Sequence, residues 1–408
     1  MNNIMLTNMI TEPIFPEIWE LQKDIIFFNH GSFGSCPEPI LQYQNKLRTQ
    51  MERQPVQFFV RDYEKMLDEA RICIAQFVDA DPDCLVFVPN VTYGVNCVFN
   101  SLEFHPGDEI LITNHEYNAC KNIVEYTAQK TGAKTVVAKI PFPLNSQEEI
   151  FHAIMSNVTT KTRAVLIDHI TSPTALIFPV EKIIRELKKK EIPLVIDGSH
   201  TPGMIPLSIK ELDPDFYTAN CHKWLCSPKG AGFLYVNKKW INKIRPIAIS
   251  HGANTQRTDL SRFLIEFGWT GTDDPTPYFC VPEVIKYFRS LVNNGWDTIM
   301  KRNHSLVIAA REVIYSALGI RTPAPVELIG SMATIPIWDA TNYSSSPNPL
   351  YMDALQTFLW ENHKIEVPII PWDNYPKRVL RISAQLYNSL PQYEKLAEIL
   401  KDLKNKKI

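Results

Sequence analysis

The sequence predicts an α/β protein, with a large domain around a mostly parallel, seven-stranded sheet and a smaller α+β domain after it. Three features carry this reading. Short apolar runs alternate with helical patterns from residue 84 onward, which is the alternation of a sheet buried on both faces. Prolines interrupt that rhythm in "DDPTPYFCVP" (273–282). Beyond them, long helical patterns over 283–318 lead into a mixed strand and helix pattern. We therefore divide the chain into an N-terminal segment, 1–28, expected to pack with the small domain, a large domain, 29–280, and a small C-terminal domain, 281–408.

The predicted strands of the large domain follow in order. "CLVFV" (84–88), "EILIT" (109–113), "KTVVAKI" (134–140), "RAVLID" (163–168), "PLVID" (193–197), "DFYTA" (215–219) and "GFLYV" (232–236) are short, apolar and rich in β-branched or aromatic residues. Most gaps between them hold an amphipathic helix, such as "VEKIIRELKKK" (180–190). In the small domain "MATIPIW", a helix near 350–362, "IEVPII", "VLRISA" and a C-terminal helix complete the pattern. No internal repeat or low-complexity tract interrupts it.

Composition narrows the function. Of 408 residues 45% are hydrophobic, and 42 Lys and Arg nearly balance 44 Asp and Glu. That balance gives no nucleic-acid or membrane surface, and the terminal "KDLKNKK" reads as a solvated helix end. No apolar stretch is long enough to span a bilayer, and "MNNIMLTNMITEP" has no export-signal pattern, so a cytoplasmic location is expected. The eight cysteines form no CxxC pair. Reduced thiols and no metal site follow.

Open parallel sheets hold their ligands beyond the carboxyl ends of their strands. Five stretches lie there: "NVTYG", "NHEYNAC", "DHITSPT", "DGSH" and "NCHK". Asp197 closes an apolar strand, where its charge needs a cation, and a protonated heterocyclic nitrogen is one candidate. Lys223 follows 26 residues later (223 − 197), enough for one connection and one strand, so both side chains can meet at one edge. A carboxylate for a pyridinium nitrogen and a lysine for an aldehyde are what pyridoxal 5'-phosphate needs. Its phosphate would sit on the helix opening at Val91 and Thr92, with Asn220 and His222 in reach. Tyr117 is placed to stack on the ring, and Ser172 and His200 to bond its hydroxyl. Singly, each has a plainer reading: Asp197 as a cap, Tyr117 as a packing aromatic, "PKGAG" (228–232) as a turn with a solvated Lys229, and His115, His169 and His251 as structural. The combination in order along one sheet favours the site.

These residues sit in longer motifs: "FFNHGSFGSCP", "NVTYGVN", "HEYNA", "DGSHTPG", "NCHKWLCSPKGAGFLYV", "WTGTDD" and "LRISAQLYN". Together they resemble the class V aminotransferase superfamily of fold-type I pyridoxal-phosphate enzymes, and within it the isopenicillin N epimerase-like branch. The resemblance runs from residue 27 to 388. It implies that Lys223 is the Schiff-base lysine, Asp197 the pyridinium partner and Tyr117 the stacking residue. It further implies that Thr272 reaches the phosphate of a partner subunit in a homodimer with shared sites. Arg381 would hold the carboxylate of a small amino-acid substrate, beside Asn29, His30 and Gly31. Ala175 departs from the pattern, since relatives commonly carry glycine there, which questions a close backbone approach at that loop. Relatives include epimerases, C–S lyases and aminotransferases. A cysteine desulfurase needs a mobile cysteine in the small domain, and none lies between 281 and 408. The preferred reaction is α,β-elimination from a cysteine-derived amino acid. Epimerisation and transamination are the alternatives, with a non-catalytic ligand-binding relative as the reading from another class.

Overall fold

The computed structural model describes residues 10–340, 353–372 and 374–406. The first nine residues of the N-terminal segment, the opening of the helix expected near 350 and the end of the basic C-terminal run lie outside them.

The chain enters through β1 (Ile26–Phe27), then supplies β2 (Leu85–Val88), β3 (Glu109–Thr113), β4 (Lys134–Ala138), β5 (Thr162–Asp168), β6 (Leu194–Asp197), β7 (Phe216–Asn220) and β8 (Gly232–Val236). The last seven form one sheet in the order β2-β8-β7-β6-β5-β3-β4. Only β8 runs against its neighbours, β2 and β7. Every residue of β2, β6, β7 and β8 is buried, which is why these strands read as continuous apolar runs. At the edge, β4 begins with exposed Lys134, a charge that discourages further pairing. Helices cover the faces: Val180–Lys189 buries Val180, Ile183, Ile184 and Leu187, one stripe at helical spacing.

The small domain is built on β9 (Met332–Pro336), β10 (Ile365–Glu366), β11 (Ile369–Pro371) and β12 (Arg378–Ser383). β12 lies between β11 and β9, antiparallel to both. Helices Trp296–Leu318 and Leu390–Lys406 pack on each other, and the first also packs on β9. The described part of the N-terminal segment joins this side of the molecule: β1 pairs in parallel with β10, Ile14 N donates to Leu386 O, and Phe28 stacks on Tyr393. Among the described residues no helix is long and apolar enough to cross a membrane.

Candidate active site

Parallel strands bring their carboxyl ends to one edge, and register sets who meets there. Asp168 of β5 is opposite Asp197 of β6, and Asp197 is opposite Thr218 of β7. Asp197 is fixed from two sides. Its Oδ1 accepts from the backbone N and hydroxyl of Ser199, the first at 2.8 Å, and its Oδ2 accepts from Cys120 Sγ at 3.4 Å. Beyond Asn220 the chain folds back, with Cys221 N donating to Ala231 O at 2.9 Å. This loop carries Lys223 to the same edge, its Nζ 3.4 Å from His200 Nε2. Burial lowers the Lys223 amine to about 8; Asp197 opposes that shift and Arg381 adds to it. Burial wins because desolvation penalises the charged form more than Asp197 rewards it.

The lysine loop is pressed against the segment after β1. Gly34 has φ 67°, and a Cβ there would lie 2.1 Å from His222 O, so conformation and space both require glycine. His30 donates from Nε2 to Lys223 O at 3.0 Å while its Nδ1 accepts from the Tyr387 hydroxyl at 2.8 Å. Its ring is thus a support behind the lysine rather than a group lining the cavity. Gly31 allows a second close approach: a Cβ would lie 2.4 Å from Met332 Sδ and 3.5 Å from Arg381 Nη2.

A helix start borders the same cavity. Helix Val91–Ser101 is capped by Asn90, whose Oδ1 accepts from Tyr93 N at 3.0 Å. Val91 N donates to Asn220 Oδ1 at 3.1 Å, tying the helix start to β7. Among the described residues nothing accepts from the Thr92 amide, and Thr92 lines the cavity. Free amides and the helix dipole favour an anion at this point. His222 borders the same space and donates from Nδ1 to Ala231 O at 3.0 Å, which leaves Nε2 as its other polar atom.

The third corner is Arg381, on the central strand of the small sheet and 2% exposed. Nη1 donates to Ser172 O and Oγ at 2.6 and 3.0 Å, and Nη2 to Ser32 Oγ at 3.0 Å. Ser32 in turn donates to Asn29 Oδ1 at 2.5 Å, and Asn29 to Glu366 Oε1 at 3.1 Å. No carboxylate among the described residues pairs with Arg381, and its Nε is buried without a partner. Burial lowers the guanidinium to about 10, so it is still a cation at neutral pH and suited to a carboxylate from outside the chain.

Val91, Thr92, Tyr117, Ser172, Asp197, His200, Asn220, His222 and Lys223 line one cavity. Arg381 and Asn29 join it through Ser32, which also lines it. Thr272 is exposed, on a loop bordering a separate groove of about 470 Å³ with Tyr63, Arg257, Trp269 and Tyr278. Ala175 has φ 58°: the loop keeps its left-handed turn with a side chain in place of glycine, at a cost of roughly 1–2 kcal/mol.

Sequence reasoning missed Ser32, Ser199, Cys120 and Trp224. Ser199 was readable as a small polar residue two after an aspartate, the spacing of a local side-chain turn; the others act across the fold. It also missed two buried acids. Glu116 and Asp168 are pushed well above the carboxylate range, both by burial first, then Glu116 by the Asp197 carboxylate and Asp168 by those of Glu116 and Asp197.

The aminotransferase class-V profile matches residues 36–389. Isopenicillin N epimerase of Amycolatopsis lactamdurans is 30% identical over 397 residues, covering 94% of this chain and 96% of that protein. Probable L-cysteine desulfhydrase, chloroplastic, of Arabidopsis thaliana is 28% identical over 401 residues, covering 93% and 83%. In three dimensions, a C-DES variant with glycine covalently linked to its PLP cofactor superimposes with a TM-score of 0.77 at 19% identity, covering 93% of this chain and 97% of that one. The profile match takes in the strand ends, the lysine loop and Arg381, and the chain belongs to the aminotransferase class-V family.

Proposed function

We propose that this chain is a pyridoxal-phosphate-dependent C–S lyase that removes sulfur from a cysteine-derived amino acid. The donor set fits the cofactor: Asp197 for the ring nitrogen, Lys223 for the aldehyde, Tyr117 for the ring face, Ser172 and His200 for the ring hydroxyl. Val91, Thr92, Asn220 and His222 would hold the phosphate. When bound, the cofactor supplies an electron sink for the substrate α-carbon. Arg381, oriented by Ser32 and Ser172, holds the substrate carboxylate, with Asn29 fixing Ser32. Lys223 takes the α-proton on Nζ, the Cβ–S bond breaks, and sulfur leaves with the bonding pair and is reprotonated. With water, cysteine then gives pyruvate, ammonia and hydrogen sulfide.

The observation that carries elimination is a single base poised near neutrality. Lys223 titrates near 8, whereas the Tyr117 phenol is pushed above its ordinary value by burial, then by Cys120 and Asp197. Elimination needs one base; epimerisation needs a second proton carrier on the opposite face of the α-carbon. The test is incubation with cysteine, its S-conjugates and single-enantiomer amino acids in deuterated water. Pyruvate with a released thiol or sulfide is expected. Enantiomer inversion with α-deuterium and no keto acid would assign the epimerase activity instead.

The functional unit we propose is a homodimer in which Thr272 completes the partner's phosphate site. Val60, in the groove beside the Thr272 loop, and Ile247 and Ile249, flanking Ala248 of that groove, are exposed, an apolar surface suited to a second copy. All eight cysteines are free, which fits a reducing, cytoplasmic compartment.

A further inference from the structure

We propose that Trp224 is a positioning residue that fixes the tautomer of His200, so that a ring N–H, not a lone pair, faces the Lys223 amine. The proposal deepens the reading of Lys223 as the cofactor lysine and rests on it for its importance to the reaction.

Trp224 is 1% exposed, and its indole Nε1 lies 3.2 Å from His200 Nδ1. An indole nitrogen can only donate, so Nδ1 must present its lone pair, and in a neutral imidazole the proton then sits on Nε2. The neutral form is the one that persists: burial, then the nearby Lys223, Arg381 and His30, holds His200 well below the usual histidine range. Nε2 is 3.4 Å from Lys223 Nζ. An N–H aimed there can donate to the lone pair of a free amine but has nothing to offer an ammonium. The arrangement therefore favours the nucleophilic form of the lysine.

Trp224 is itself held from several directions. Gly203, at φ 87°, comes so close that a Cβ would lie 2.4 Å from Trp224 O. The His30 ring packs on the indole with centroids 4.8 Å apart, and His30 also bonds Lys223 O. One buried histidine thus braces the residue that sets the tautomer of the other. Around Lys223, Asp197, Asp168 and Cys120 favour the ammonium, and Arg381 disfavours it. Among the described residues only Trp224 donates to His200 Nδ1. Without it His200 is free to move its proton to Nδ1 and accept from the lysine ammonium at Nε2.

The test uses the purified full-length chain with ¹⁵N-labelled histidine, read by long-range ¹H–¹⁵N correlation, with His200 assigned through the signals lost in His200→Gln. A single Nε2–H tautomer at neutral pH is expected in the wild type, and a substantial Nδ1–H population in Trp224→Phe. A wild type protonated at Nδ1, or averaging both tautomers, would overturn the proposal even if the variant failed to fold. So would a folded Trp224→Phe that keeps the pure Nε2–H form. In a second readout, the pH midpoint for borohydride-fixable uptake of added pyridoxal phosphate should move up by about one unit in Trp224→Phe, the shift corresponding to one lost hydrogen bond; an unmoved midpoint would count against the proposal. If pyridoxal phosphate never became fixed on Lys223, the cofactor reading would fail while the tautomer result stood.

Discussion

Arg381 is a buried cation whose partners are hydroxyls and a carbonyl, and we propose that its charge pairs with the substrate carboxylate. Arg381→Ala should raise the Michaelis constant for the amino acid about 10- to 100-fold, since a hydrogen-bonded charge pair contributes roughly 1.5–3 kcal/mol. Cofactor absorbance should be unchanged; loss of colour with intact substrate affinity would refute the role. Lys223 gives a pH prediction. Its amine titrates near 8 in the fold, below its ordinary 10.5, so from about pH 8 to 10.5 the unfolded chain carries a proton that the folded chain lacks. By linkage, this group's contribution to stability rises with pH across that window. In cofactor-free protein the stability difference between wild type and Lys223→Met, from urea titrations, should shift in favour of the wild type from pH 8 to 10. A flat difference would mean that the lysine is not desolvated. Lys223 and Asp197 were legible in the sequence because each interrupts or closes an apolar run. Ser32 and Trp224 were not, because their roles lie in contacts that spacing does not encode: Ser32 reaches a residue 349 positions away.

The element proposed to hold the phosphate is the helix Val91–Ser101, and Gly94 lets it pack close to the sheet. A Cβ at Gly94 would lie 2.2 Å from Thr218 Oγ1 on β7, so Gly94→Ala must push the helix outward or displace Thr218. We expect about 1–3 kcal/mol of destabilisation, as for other overpacked cores, together with weaker binding of pyridoxal phosphate. Urea midpoints and cofactor titration measure the two, and an unchanged affinity would separate the helix start from the phosphate site. The strands of the large sheet were legible, β3 and β8 to the residue, because burial on both faces leaves continuous apolar runs. The pairing of β1 with β10 was not, since two residues joined across more than 330 positions carry no periodicity. The same limit hid the support role of His30, which the resemblance placed beside the substrate but whose ring turns to Lys223 O and Tyr387.

At the scale of the whole molecule, the proposed site draws on both parts of the chain: β5, β6 and β7 end at the edge proposed to hold the cofactor, and β12 carries Arg381, the proposed carboxylate clamp. A partner subunit completes it in the proposed dimer. Mixing inactive Lys223→Ala and Thr272→Ala subunits should then restore activity, because one site of each mixed dimer has both native groups. Two variants that stay inactive together, or a fully active monomer by sedimentation and assay, would remove the shared-site arrangement. We propose that Lys223, carried by the loop after β7 to the edge where Asp197 ends β6, is the residue to which pyridoxal phosphate becomes attached. Borohydride reduction of the reconstituted protein followed by peptide mapping tests this directly. The pyridoxyl group is expected on Lys223 alone, with no fixed cofactor in Lys223→Ala; a pyridoxyl group on Lys229 or on another lysine would show the assignment to be wrong.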